Sequence, residues 1–194
     1  EFILTKLPDD QQALIGKADT LAGMGRYDDA IEVYDTLINS SPGEARFFAY
    51  RAYALNAMGR YEEGLSSAEK ALEIDPENEI AWNNKGSALN ALGQTNEALA
   101  AYNETVRINP DNPVAWSNKG YVLALLGNTN EALVSYDKAL ELNPDLSGTW
   151  GYKASALVQL KRFDEAVTVA DKELKMKPDN VQALVAKGDA LSGL

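Results

Sequence analysis

Any chemistry performed by this chain falls to carboxylates, lysines, tyrosines, serines and asparagines, because its 194 residues include no His and no Cys. That absence removes the thiolate nucleophile, the imidazole base, the disulfide and the usual ligand sets of zinc, haem and iron–sulfur centres. No cofactor and no metal site are expected. The carboxylates (Asp+Glu 29) are so numerous that some pair will lie at glycosidase distance by chance, which is no sign of catalysis. Connectors such as Asn109-Pro110-Asp111-Asn112 lack calcium-loop spacing and read as turns after helices. No phosphate-cradling glycine motif is present. The chain is therefore read as not an enzyme. Its net charge of −11 argues against a nucleic-acid partner, which demands a basic surface. No apolar run approaches the length of a membrane span, and the stretch Glu1-Phe2-Ile3-Leu4-Thr5-Lys6 is too short to be a secretory signal, so a cytoplasmic location is the default expectation. A hydrophobic content of 45% suffices for a packed core and is too high for a disordered acidic chain.

What must position these side chains is set by the prolines. Pro8, Pro42, Pro76, Pro110, Pro144 and Pro178 recur every 34 residues. An exact period of that size implies a stacked repeat. The chain divides without insertion or deletion into units 11–44, 45–78, 79–112, 113–146 and 147–180. Residues 181–194 open a sixth, truncated unit, and 1–10 carry the register of the end of a preceding one. With positions numbered 1 to 34 in each unit, position 11 is always Leu (Leu21, Leu55, Leu89, Leu123, Leu157, Leu191). Position 8 is always small (Ala18, Ala52, Gly86, Gly120, Ala154, Gly188), and Trp82, Trp116 and Trp150 share position 4. Positions 3, 4, 7, 8, 10, 11 and 14 fall on one side of a helix, and a second stripe runs through 17, 20, 21, 24, 27 and 28. Gly at position 15 (Gly25, Gly59, Gly93, Gly127, then Lys161) ends the first helix where positive φ is wanted. An acid at position 19 opens the second helix on the favourable side of its dipole. Pro at 32 stops it. One such pair cannot bury both stripes, so neighbours must stack.

These columns resemble the tetratricopeptide repeat (TPR): Trp at 4, small at 8, aromatic at 17, Ala at 20, aromatic at 24 and Pro at 32. The resemblance covers essentially the whole chain. It implies an all-α fold, a right-handed TPR superhelical solenoid of five full repeats with partial repeats at both ends. Departures are local: Thr95 and Thr129 at 17, Ala68 and Ala170 at 24, and Glu173 at 27 are expected to weaken individual interfaces. The terminal units suggest a segment of a longer array, although Glu1-Phe2 could instead be a cloning remnant.

The resemblance also implies a protein–protein interaction scaffold whose concave groove holds an extended peptide or a partner helix. Opposite the apolar stripe lie positions 2, 5, 6, 9, 12 and 13. Tyr50 and Tyr152 fall at 6, Tyr53 and Tyr121 at 9, Asn84 and Asn118 at 6, Asn83 at 5, and Asn56 and Asn90 at 12. An Asn amide offers a donor and an acceptor that match a peptide bond, and Tyr adds contact area at low entropic cost. These nine residues are the candidate groove. The family's clamp for acidic C-terminal tails needs Lys at 5 and Lys or Arg at 9. Here those columns hold none, and the groove has one base, Arg46, against Asp19 and Asp189. A carboxylate clamp is thus disfavoured, and a neutral, mixed or mildly basic partner is expected. Two alternatives stay open: a homo-oligomer formed by end-to-end stacking of the array, and a recognition segment of a larger enzyme.

Position 7 is basic throughout: Lys17, Arg51, Lys85, Lys119, Lys153, Lys187. It lies on the packed side, where a long stem can pack while its charge reaches an edge. Position 25 (Asp35, Glu69, Asn103, Asp137, Asp171) supplies the matching column. The expectation is a structural ladder between position 7 of one unit and position 25 of the unit before, as in Lys85 with Glu69 and Lys153 with Asp137. First-helix segments hold only Asp19, Glu79 and Asp189 against seven bases, so the acidity belongs largely to the second helices and connectors.

Overall fold

The computed structural model describes residues 8–194, with side chains from Gln11 onward. The register assigned to residues 1–7, as the end of a preceding unit, therefore lies outside the described residues. Every regular element among the described residues is an α-helix: α1 (Pro8–Gly23), α2 (Tyr27–Ser40), α3 (Ala45–Ala57), α4 (Tyr61–Ile74), α5 (Glu79–Ala91), α6 (Thr95–Ile108), α7 (Pro113–Leu125), α8 (Thr129–Leu142), α9 (Thr149–Gln159), α10 (Phe163–Met176) and α11 (Val181–Gly193). They fall into two compact units divided after Gln94. In the first, α2 packs on α1 and α3, α4 packs on α3 and α5, and α3 also meets α5 directly. In the second, α6 meets α7, α8 packs on α7 and α9, α10 packs on α9 and α11, and α9 also meets α11.

The apolar stripes make the cores. Leu21, Leu55, Leu123 and Leu157 are buried, as are Ala30, Ala132 and Ala166 from position 20. Position 8 is small because the helices meet there. A Cβ on Gly120 would stand 2.7 Å from the ring of Tyr136, far inside contact distance. The Trp column fastens the connectors. The indole N–H of Trp82, Trp116 and Trp150 donates to the carbonyl of Pro76, Pro110 and Pro144 at 2.8, 2.7 and 2.8 Å. Each ring also lies beneath the position-7 lysine of its own helix, 5.0–5.6 Å from Nζ to centroid, within cation–π range.

The turns after the first helices follow the position-15 column. Gly25, Gly59, Gly93 and Gly127 adopt φ of 74–80°, and the next amide closes back on the helix, as in Arg60 N–H to Leu55 O at 2.9 Å. The fifth unit makes the same turn with Lys161 at φ 58°, where a Cβ is disfavoured. Lys161→Gly is expected to raise stability by about 0.5–1 kcal/mol, because relief of that strain exceeds glycine's extra entropy in the unfolded chain. A urea midpoint that fails to rise would contradict this.

The position-7 ladder is present. Arg51 pairs with Asp35 at 2.7 Å, Lys85 with Glu69 at 3.0 Å, Lys153 with Asp137 at 2.5 Å and Lys187 with Asp171 at 2.6 Å. Lys119 differs because its column partner is Asn103. Burial lowers its pKa, opposed by the charge of Glu131. Asn103→Asp would supply the missing rung and is expected to add roughly 0.5 kcal/mol, the scale of a partly exposed pair, while raising the Lys119 pKa. Titration of the lysine side chain by NMR reads the second effect directly, and an unmoved pKa would reject the rung.

Helix starts use position 34. Asn78, Asn112 and Asn180 accept from the amides of Ala81, Ala115 and Ala183 at 3.0–3.1 Å, the standard side-chain cap. Ahead of the fifth unit that position is Leu146, which cannot cap. Helix α9 starts later, with Gly148 in the left-handed region at φ 84° as its N-cap. The carboxylate of Glu173, fully buried, takes over. Its Oε1 accepts from the Gly148 amide at 3.0 Å and from Asn180 Nδ2 at 2.9 Å. Glu173, expected from the sequence to weaken an interface, ties the start of α9 to the cap of α11 through Oε1, while its Oε2 is buried without a partner among the described residues.

Candidate functional site

The first-helix face that carries the candidate groove is described separately in each unit. In the first, α2 supplies buried Tyr34, whose ring stacks on Tyr50 of α3 with centroids 6.0 Å apart and planes at 29°. The Tyr34 hydroxyl reaches Asp19 of α1 at 3.5 Å. Tyr53, one turn beyond Tyr50, is 49% exposed and meets Tyr27 of α2 edge to face at 6.2 Å. Burial pushes the Tyr34 pKa upward, with Asp19 adding to it. Burial likewise raises Tyr53, with Tyr27 contributing. Both phenols stay protonated at neutral pH and act as hydrogen-bond donors or ring surfaces.

In the second unit Tyr152 of α9 lies against two rings. It stacks on Tyr136 of α8 at 6.2 Å and 22°, and meets Tyr121 of α7 at 5.3 Å and 57°. Tyr136 is buried, whereas Tyr121 is 37% exposed. Burial raises the pKa of Tyr136 and Tyr152, with the neighbouring tyrosines next in effect.

The asparagines behave differently from the tyrosines. Asn84 is only 4% exposed, and its amide donates to the Ala49 carbonyl of α3 at 2.9 Å. Asn56 is half-buried and donates to the Asn84 carbonyl of α5 at 2.9 Å. These two side chains tie α3 to α5 directly. The Oδ1 atoms of Asn56 and Asn90 are buried as well, and neither has a hydrogen-bond partner among the described residues. Asn83 and Asn118 are half-buried and already engaged. The tyrosines are thus brought together in two clusters, while of the candidate asparagines Asn56 and Asn84 are turned into the contact between α3 and α5. Sequence reasoning assigns Tyr27, Tyr34 and Tyr136 to the core columns 17 and 24 and misses their part in the clusters. A signal for it exists, since position 24 of one unit and position 6 of the next are both aromatic in the two places where stacking occurs.

The charges on this face are few. Arg46 pairs with Glu44 at 3.2 Å and lies over the Phe47 ring, and four of the position-7 bases are held by carboxylates. No group of three or more acidic, His or Cys side chains suited to a metal ion occurs among the described residues. No described helix is long and apolar enough to cross a membrane.

Comparison with known proteins agrees with the helical pattern. Models of the tetratricopeptide repeat match residues 15–79 and 153–191, and 113–146, and models described as TPR repeat and tetratricopeptide repeat match 86–127 and 67–100. The chain belongs to the tetratricopeptide repeat family, and the all-α TPR solenoid is its fold. No curated protein is significantly similar in sequence. Solved structures are similar in fold. A thermophilic TPR protein of Thermus thermophilus, TTC0263, superposes with a TM-score of 0.77 at 23% identity, covering 94% of this chain and 99% of the other. PilF of Pseudomonas aeruginosa superposes with a TM-score of 0.81 at 19% identity, covering 95% and 89%. YrrB, described as a TPR protein with an unusual peptide-binding site, gives 0.70 at 24% identity, covering 90% of each chain.

Proposed function

We propose that the chain is a protein-interaction scaffold that holds extended peptide segments against the first-helix faces of its two units, with Tyr50, Tyr53 and Asn83 as the contacts in the first and Tyr121, Tyr152 and Asn118 in the second. The observation that carries this reading is the pair of tyrosine clusters. In each, one ring is open to solvent (Tyr53, Tyr121) while its neighbour is held against a buried partner ring. Such rings lose little freedom on binding, which is how a preformed surface converts contact into affinity. Asn56 and Asn84 brace α3 against α5 beneath. YrrB, a TPR protein of similar fold, is described as having an unusual peptide-binding site, which is compatible with a groove outside the usual clamp. An acidic-tail clamp is unsupported because positions 5 and 9 hold no Lys or Arg and Asp19 adds negative charge. A non-catalytic role fits the absence of His and Cys from the sequence.

The test is selection of binding peptides from a random display library on the intact chain, followed by affinity measurement with the double variant Tyr53→Ala, Tyr121→Ala. Both side chains are exposed, so folding should be unaffected while affinity falls about tenfold or more, as for aromatic anchors of interfaces. Unchanged affinity would remove the site. A second reading, self-association, draws on α11, whose Leu184 and Leu191 are 48% and 56% exposed. Sedimentation velocity across a wide concentration range separates the two, since only self-association makes the sedimentation coefficient rise with concentration.

A further inference from the structure

The two aromatic clusters occupy the same four positions of the repeat and differ in charge. Positions 9 and 24 of one unit, with 6 and 9 of the next, are Asp19, Tyr34, Tyr50 and Tyr53 in one place and Tyr121, Tyr136, Tyr152 and Ser155 in the other. The stacked pair is nearly identical in both, with Tyr34–Tyr50 at 6.0 Å and Tyr136–Tyr152 at 6.2 Å. Where the second cluster has a phenol, the first has the exposed carboxylate of Asp19. That carboxylate forms no ion pair among the described residues, and the Tyr34 hydroxyl that approaches it stands at a long 3.5 Å. The arginines of the same unit are engaged elsewhere: Arg26 with Asp29, Arg46 with Glu44, Arg51 with Asp35 and Arg60 with Glu63.

A carboxylate without a base of its own, joined through Tyr34 to the half-buried ring of Tyr50 and with the exposed ring of Tyr53 one turn further along α3, complements a cation in two ways. The charge is met by the acid and the flat or methylene body by the ring faces. We propose that the first cluster is a recognition site for a basic side chain of the bound peptide, preferentially arginine, with Asp19 meeting the guanidinium and Tyr50 and Tyr53 supporting it. The second cluster, lacking the acid, accepts an uncharged residue. The inference rests on the peptide-binding reading above and adds the chemistry of one position in that peptide.

The test is an NMR titration of the whole chain with N-acetyl-arginine amide and, in parallel, with N-acetyl-citrulline amide, its neutral near-isostere. The arginine probe should shift the Tyr50 and Tyr53 rings and the Asp19 amide saturably. The citrulline probe should bind at least about fivefold more weakly, the margin expected of one partly exposed cation site. Asp19→Asn, which keeps the shape, should abolish the difference, whereas Tyr121 and Tyr152 should respond alike to both probes. Equal binding of the two probes, an Asp19→Asn variant that keeps the preference, or no saturable shift with either up to the limit of solubility would overturn the inference. The outcomes are separable from those of the parent reading. If display-selected peptides still depend on Tyr53 and Tyr121 while the arginine preference fails, only the cation site falls. If those peptides ignore the tyrosines, the parent reading falls with it.

Discussion

Replacing Leu55 with Ala should lower the unfolding free energy by about 3 kcal/mol, whereas the same replacement at Leu191, the same position of the repeat, should cost less than about 1 kcal/mol. Leu55 is completely buried and Leu191 is 56% exposed. The contrast has a simple cause. The first-helix stripe of α3 is covered by α2 and α4, while α11 is met by α9 and α10 alone among the described residues. Truncating Leu55 loses the transfer free energy of the removed atoms and leaves a cavity in the core that it shares with Phe47, Tyr34 and Leu37. Truncating Leu191 mainly removes surface already in water. Urea unfolding followed by helical ellipticity measures both. Equal losses would mean that the α11 face is covered in solution, which would in turn favour self-association.

The second large effect is expected at Glu173. Substitution by Ala restores the residue typical of that column, and consensus reasoning alone would anticipate a gain. The structure points to a loss of about 2 kcal/mol, because the Gly148 amide and Asn180 Nδ2 would both lose their acceptor in a buried place. The opposing effect is release of a desolvated carboxylate, which can make such replacements neutral or favourable. The balance favours a loss because Oε1 serves two donors and the carboxylate stands at the start of α9, where the helix dipole supports negative charge. Glu173→Gln separates the parts, since it keeps one acceptor oxygen and removes the charge. Its expected cost is under about 1 kcal/mol. A Glu173→Ala variant as stable as the parent would show that desolvation prevails. Glu173→Gln as damaging as Glu173→Ala would assign the whole contribution to charge.

Much of this architecture is legible in the sequence because an exact period multiplies weak signals. One Gly or one Leu says little, but Leu at position 11 in every unit fixes a register, and the register alone predicts the ladder rungs Lys85–Glu69 and Lys153–Asp137. The parts that escape depend on contacts between units. A helical wheel places position 6 opposite the apolar stripe, and so places Asn84 in the groove. It cannot show that α3 lies alongside α5 closely enough for the Ala49 carbonyl to bury that amide. Glu173 escapes for a related reason. Its role compensates for Leu146, a lost cap 27 residues earlier in sequence, and the link between them exists only once α9 and α10 are packed. The tyrosine clusters are half visible, since the rings at positions 6 and 9 stand out on the wheel whereas the core rings that hold them read as packing alone.

The indole-to-proline hydrogen bonds have an optical consequence. All three fluorophores that emit under red-edge excitation sit at one position of three successive units, each in nearly the same surroundings against its own connector. The first two units contain none. Emission from this chain therefore watches Pro76–Trp82, Pro110–Trp116 and Pro144–Trp150 and is blind to α1–α4, while ellipticity averages over all helices. The residues that pin the connectors thus divide the chain into a luminous stretch and a dark one, and fraying that begins at α1 would be seen by one spectroscopy and missed by the other.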